Sequence, residues 1–237
     1  MLAAIIITSV ATLTGFVLIN KLAATSKFQL FGELVNQINT PEKVVALTYD
    51  DGPSPSHTNQ LLNLLDRLQV KATFFLVGQK IEEHQETARL LVSKGHELGN
   101  HSYSHPRMIW KKPSFIRSEI EKTDELLRQL GVKHNPHFRA PFGLKFLILP
   151  YILARMNKKN IMWNVDPKDY QESTPETISN YVLDRVVPGS IILLHDFERT
   201  DSPTIPATEI LIQKLQEKGY QFKTVSELLH YCSKTDR

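Results

Sequence analysis

Val44-Val-Ala-Leu-Thr-Tyr-Asp-Asp-Gly-Pro53 decides how the rest of the chain is read. Val44 to Tyr49 is an apolar run rich in β-branched residues, and Gly52-Pro53 is a turn signal, so the stretch predicts a buried strand ending at a break. Two carboxylates, Asp50 and Asp51, stand at that end. Side chains alternate faces along a strand, so both cannot enter one site while the strand stays regular. The Gly-Pro break would let them converge. Adjacent carboxylates also repel unless something positive lies beside them. Taken alone, Asp-Asp-Gly is also an ordinary acidic turn, and the residues downstream decide between the two.

Working outward, strand and helix signals alternate. Strands are expected at Ala72–Val77, Glu97–Asn100, His137–Arg139, Asn160–Asn164, Ser190–Leu194 and Tyr220–Lys223. Between them lie helical patterns: Leu61 to Leu68, residues 80–94 closed by Lys94-Gly95, a helix capped by Ser114 and ended by Gly131, Leu144–Asn157, one opened by Thr174-Pro175, and one running to Lys218-Gly219. Thr224-x-x-Glu227 is a capping box for a last helix. About seven strands, most followed by a helix, imply an α/β fold with a parallel sheet, either a barrel or an open doubly wound sheet. No repeat or second soluble domain is evident. The chain divides into residues 1–20, a linker over 21–41 and one domain over 42–237.

The 237 residues carry a formal net charge of +3, with no basic run of the kind nucleic-acid binding requires. Cys232 is the single cysteine, which excludes an intramolecular disulfide. Met1 to Asn20 has no charged side chain and is just long enough to span a bilayer as a helix. A cleaved signal peptide would want a basic start and a small-x-small cleavage site. No Lys or Arg precedes the segment and the best cleavage candidate, Leu22-Ala23-Ala24, is poor, so an uncleaved anchor is the expectation, with secretion after cleavage the alternative. Lys21 and Lys27 lie on its C-terminal flank and bias orientation only mildly against export.

The unusual polar residues fall at the carboxyl ends of the expected strands, which share one face in a parallel α/β fold. His101-Ser-Tyr-Ser-His105 has the spacing of a metal-binding pair, and Pro106 places it on a loop. With Asp51 it makes the two-imidazole, one-carboxylate set common for zinc, with positions left for water and substrate. Asp50 beside that set is the natural base, and His195 at the end of an apolar strand the natural acid. Asp169 is placed to hold that imidazole protonated, and Arg139 to pair with and orient Asp50. The Pro141-Phe142 backbone could present an N–H to a developing oxyanion. The other histidines, His57 among them, read as solvated or structural.

Thr48-Tyr-Asp-Asp-Gly52, His101-Ser-Tyr-Ser-His105, Arg139-Ala-Pro-Phe-Gly143, Asp166-Pro-Lys-Asp-Tyr170 and Leu193-Leu-His-Asp196 resemble the five ordered motifs of the NodB-type polysaccharide deacetylases, carbohydrate esterase family four. The resemblance covers about residues 42 to 230. It implies a distorted (β/α) barrel and a divalent metal, usually zinc, with Co2+, Mn2+ or Ni2+ as substitutes. Carried over by motif, Asp50 is the base, Asp51, His101 and His105 hold the metal, and Arg139 supports the base. Phe142 lends its N–H, Asp169 tunes the acid His195, and Leu193 lines a pocket for the acetyl methyl. The fourth motif usually ends in Trp; here Tyr170 keeps an aromatic wall but adds a hydroxyl. The implied activity is hydrolysis of N-acetyl groups from an amino-sugar polymer, peptidoglycan or a chitin-like glycan, with the domain outside the cytoplasm. The competing readings are a non-catalytic carbohydrate-binding protein on the same fold and a membrane-anchored scaffold.

Overall fold

The structure is a computed structural model that describes residues 23–171, 173–199 and 201–232. The expected anchor over residues 1–20 lies outside them, and among the described residues no helix is long and apolar enough to cross a membrane.

The central strand, β2 (Val44–Asp50), is buried along its whole length. It follows the short β1 (Leu34–Val35) and pairs in parallel with β3 (Thr73–Leu76), which pairs in parallel with β4 (Glu97–Asn100). On its other side β2 pairs over Ala46–Asp50 with β6 (Ile191–His195), while its first two residues pair with β7 (Gln221–Phe222). The remaining strand, β5 (Asn160–Ile161), joins the circuit through parallel bridges: Phe138 touches both Asn100 and Asn160, and Val165 meets Ile192. These bridges close the ring β2-β3-β4-Phe138-β5-β6 into a distorted barrel.

Strand alternation sorts β2 into two environments. Val45, Leu47 and Tyr49 face outward onto helices α1 (Pro55–Arg67) and α7 (Thr204–Glu217), among Leu61, Leu65, Leu211 and Leu215. Val44 and Ala46 face inward with Phe75, Ile161 and Ile191. Val35 and Ile38, together with Val225 and Leu228 of the short helix α8 (Val225–Leu229), complete this inner cluster around the start of β2. Full burial of each such aliphatic side chain contributes about 1.5–3 kcal/mol. The next inward positions, Thr48 and Asp50, are polar, so the barrel is apolar at one end and chemically equipped at the other.

Several local expectations change. The helix expected over residues 80–94 is two, α2 (Gly78–Glu83) and α3 (Gln85–Ser93), separated at His84. Helix α4 (Pro113–Gln129) is capped at Lys112, not Ser114, because Pro113 already occupies the first turn. Residues 137–139 form bridges at Phe138, not a strand. Leu144–Asn157 is helical only as α5 (Ile148–Arg155). The stretch expected as a linker contributes β1, which pairs with β5 because Val35 and Ile38 are apolar and buried. Helix α6 (Pro175–Leu183) carries the expected Thr174 cap, and the capping box at Thr224 and Glu227 is present in full.

Candidate active site

Asp50 points into the barrel because it continues the inward face of Thr48. Asp51 would point outward, but its φ of 72° turns the chain back and brings both carboxylates to one mouth. The position after them must be glycine, since a Cβ on Gly52 would lie 2.4 Å from Asp196 Oδ2.

The loop after β4 carries His101 and His105. Ser102 and His105 both have positive φ, and hydrogen bonds hold the loop in place. Asn100 Oδ1 accepts from Ser102 N at 2.8 Å, and Glu119 of α4 accepts from Tyr103 N, Ser104 N and the Ser104 hydroxyl. His101 Nδ1 lies 2.9 Å from the Arg139 carbonyl, which can only accept; Nδ1 therefore carries the proton and Nε2 offers its lone pair to the site. His101 Nε2 and His105 Nε2 lie 3.4 and 3.1 Å from Asp51 Oδ1. Donors about 2.0–2.2 Å from a tetrahedral ion stand roughly 3.3 Å apart, so this set fits a small divalent cation. Asp51 Oδ1 is buried without a hydrogen-bond partner, as a ligand atom would be. Burial alone would raise the Asp51 carboxyl, but its contacts with His101 and His105 outweigh burial and hold it well below the usual carboxylate range.

Across the mouth stand the two other ionisable groups. Arg139 is fully buried; its guanidinium lies 4.1 Å over Phe75 and donates to Asp50 Oδ1 and Thr48 Oγ1, each at 2.7 Å, and to the Ile161 carbonyl at 2.9 Å. Asp50 is thereby held by one oxygen. His195 Nδ1 lies 2.8 Å from Asp169 Oδ1, while Asp169 Oδ2 accepts from His195 N at 2.9 Å and Thr204 Oγ1 at 2.8 Å. Burial would lower the His195 pKa; the hydrogen bond and charge of Asp169, with smaller contributions from Asp50 and Asp51, override it and raise the pKa to about 9. A pKa raised in this way favours the protonated imidazole at neutral pH.

A cavity of about 430 Å3 joins these groups. Asp50, Asp51, His101, His105, Phe142, Tyr170, Leu193 and His195 line it; Arg139 and Asp169 stand behind it, each gripping a lining residue. The Tyr170 ring meets the His195 ring edge-on at 5.0 Å, and Phe142, with φ of 58°, packs its ring 4.6 Å from His105. Leu193 shares the inward face of β6 with His195. Sequence reasoning missed Trp163, which lines the cavity, as well as Thr48 and Thr204. Trp163 had a signal, being an aromatic three residues before Asp166 at a strand end. Thr48 and Thr204 had none, since a threonine joins a network only through contacts distant in sequence.

The mouth of this parallel α/β barrel thus brings a donor set that fits a divalent cation opposite a held carboxylate and an imidazole of raised pKa. The polysaccharide deacetylase family model matches residues 37–161, and the chain belongs to that family. The peptidoglycan-N-acetylmuramic acid deacetylase PdaC of Bacillus subtilis is 34% identical over 191 residues, covering 81% of this chain; the chain spans 40% of PdaC's length. The crystal structure of Bc1960, a peptidoglycan N-acetylglucosamine deacetylase, superposes with a TM-score of 0.80 at 31% identity, covering 84% of this chain and 94% of that one. BA3943 of Bacillus anthracis, described as a family pseudoenzyme, superposes with a TM-score of 0.76 at 30% identity, covering 85% and 70%.

Proposed function

We propose that this chain hydrolyses N-acetyl groups on an amino-sugar polymer, releasing acetate and leaving a free amine. Because a family relative is a pseudoenzyme, membership alone does not carry this reading. The observation that carries it is the pair of opposed proton-transfer groups, each fixed at one atom by a buried partner: Asp50 by Arg139 and His195 by Asp169. Binding a glycan requires neither a base nor an acid.

Asp51, His101 and His105 would hold the cation, with zinc favoured by the two-imidazole, one-carboxylate set. Bound there, it would polarise the acetyl carbonyl and acidify water. The chain's own residues do the rest. Asp50, through the oxygen not held by Arg139, takes a proton from the attacking water as its oxygen adds to the carbonyl carbon. The Phe142 backbone N–H faces the oxyanion that develops. His195 then gives its Nε2 proton to the amide nitrogen as the C–N bond breaks, and Asp169 stabilises the imidazolium beforehand. Leu193 packs on the acetyl methyl, and Tyr170 and Trp163 wall the sugar. The acetyl group leaves as acetate.

Peptidoglycan is the first polymer to test. PdaC and Bc1960 are named for different sugars of it, so similarity does not choose between them. A wall polymer places the domain outside the cytoplasm, behind an anchor at about residues 2–20. The deciding experiment is acetate release from N-acetylated peptidoglycan and chitin oligomers, with and without chelator. Release that stops on chelation and returns with zinc supports the reading. Binding of the glycans with no acetate from any of them would replace it with the non-catalytic one.

A further inference from the structure

Away from the cavity, Phe28, Leu30, Phe31, Leu147, Ile148 and Tyr151 are large apolar side chains left 38% to 56% exposed. They are contiguous. Phe28, Leu30, Phe146 and Leu147 line one shallow hollow of about 220 Å3, and Phe31 meets Tyr151 edge-on at 5.8 Å. Trp110, 65% exposed, lies 5.7 Å from Phe146 and extends the patch. Soluble monomers rarely leave large contiguous apolar patches in water, and such a patch marks a surface that meets a partner or a membrane.

The course of the chain says which. Lys145 N donates to the Ala23 carbonyl at 2.8 Å, and Lys145 Nζ donates to the Thr25 carbonyl. Residues 23–25 are therefore pinned at the hollow that Lys145 lines. Three residues before Ala23 ends the stretch Met1–Asn20, which has no charged side chain. Three residues reach at most about 10 Å, so a bilayer holding that stretch lies no further than this from the patch. The composition agrees. Leu30, Leu147 and Ile148 offer nothing to a sugar hydroxyl, whereas aliphatic side chains edged by Trp110, Tyr151 and the exposed Lys27, Lys111 and Lys112 suit the boundary between acyl chains and anionic headgroups.

We propose that this face rests on the lipid bilayer, so that the domain is oriented on the membrane and does not swing on a tether. The inference rests on insertion of residues 1–20 and is independent of the reaction. Phe142, which lines the cavity, is five residues before Leu147, and no residue of the hollow lines the cavity.

The test uses the full chain in nanodiscs containing anionic lipid, with Cys232→Ser as background. Single cysteines replace Leu30, Tyr151 or, as control, the exposed Asn63 on α1, which lies across the barrel ring from α5. Each carries a polarity-sensitive fluorophore. Lipids spin-labelled near the headgroup should quench the labels at 30 and 151 several-fold more than the label at 63. Leu30→Asp with Leu147→Asp should remove the quenching at 151 without changing acetate release from a soluble chitin oligomer. Three outcomes overturn the proposal: equal quenching at all three sites; labels at 30 and 151 that are shielded from water yet unquenched, which would mean residues 1–20 cover the patch; and failure of the chain to enter the nanodisc. None of these would touch the hydrolytic reading, which acetate release tests alone.

Discussion

Two clusters of histidine and aspartate lie at the same mouth of this barrel. In the first, Asp51, His101 and His105 turn one oxygen and two nitrogens toward a common point, and Asp51 Oδ1 has no hydrogen-bond partner. In the second, Asp196 and His57 are more deeply buried than Asp51 and His105, and every polar atom is used. His57 Nδ1 lies 3.0 Å from Asp196 Oδ1 and His57 Nε2 lies 3.0 Å from Ser202 Oγ; the other Asp196 oxygen accepts from Thr58 Oγ1 at 2.6 Å, and Ser54 Oγ adds a contact at 3.2 Å. Residue type is shared; unsatisfied donor atoms facing a cavity are not. That difference separates a site from a brace, and substitutions in and around the two clusters can break or sharpen it.

The largest effect is expected at the first cluster. The parent should keep roughly one equivalent of divalent ion through dialysis, and His105→Ala, which leaves two donors, should lose it. Metal analysis with thermal denaturation checks this; a folded variant that keeps its ion would remove His105 from the donor set. Next comes Asp50→Asn, which retains the donors and the shape. Its kcat should fall about 10²–10⁴-fold with metal content unchanged. Near-parental turnover would mean that some other group accepts the proton.

A smaller effect tests the acid. The charge and hydrogen bond of Asp169 raise the His195 pKa above the ordinary imidazole value. A raised pKa keeps the acid protonated to higher pH, so Asp169→Asn should move the alkaline limb of kcat/KM to lower pH. The same sign governs stability. The contribution of protonated His195 is complete below its unfolded value of 6.5 and is lost as pH rises through about 9, so the alkaline destabilisation of the parent should shrink in the variant. A limb that stays where it was would show that Asp169 orients the ring without setting its proton affinity.

Much of this was legible in the sequence because strand ends converge in any closed parallel barrel. Asp50, Asp51, His101, Arg139, Asp169 and His195 could be grouped without knowing a distance. The turn of Asp51 was legible too, as a need for a break at Gly52-Pro53, although its source proved to be the positive φ of Asp51 itself. The strand pattern left barrel and open sheet both standing, and only the family resemblance implied closure: Phe138 and Val165 complete the ring through bridges too short to leave a period in sequence. Strand β1 was not legible, since a single buried residue, Val35, sits inside what reads as a linker. The sequence leaves His57 as either solvated or structural, since its partner Asp196 is 139 positions away.

His57 therefore supplies the mildest and most discriminating test. Asp196 follows His195 directly after β6 and faces the other way, so its carboxylate leaves the barrel interior and, with His57, ties α1 to the segment around Ser202. His57→Ala leaves that fully buried carboxylate with only hydroxyl donors, and an unmet buried polar group costs about 1–3 kcal/mol. The unfolding midpoint in urea should drop accordingly, while metal content and kcat at a temperature where the variant is folded stay within about twofold, because no atom of the pair reaches the cavity. His57→Gln, which can still donate to Asp196, should recover part of the lost stability. If His57→Ala instead released the metal or abolished turnover while remaining folded, the brace would be part of the site, and full hydrogen-bond satisfaction would cease to distinguish the two clusters.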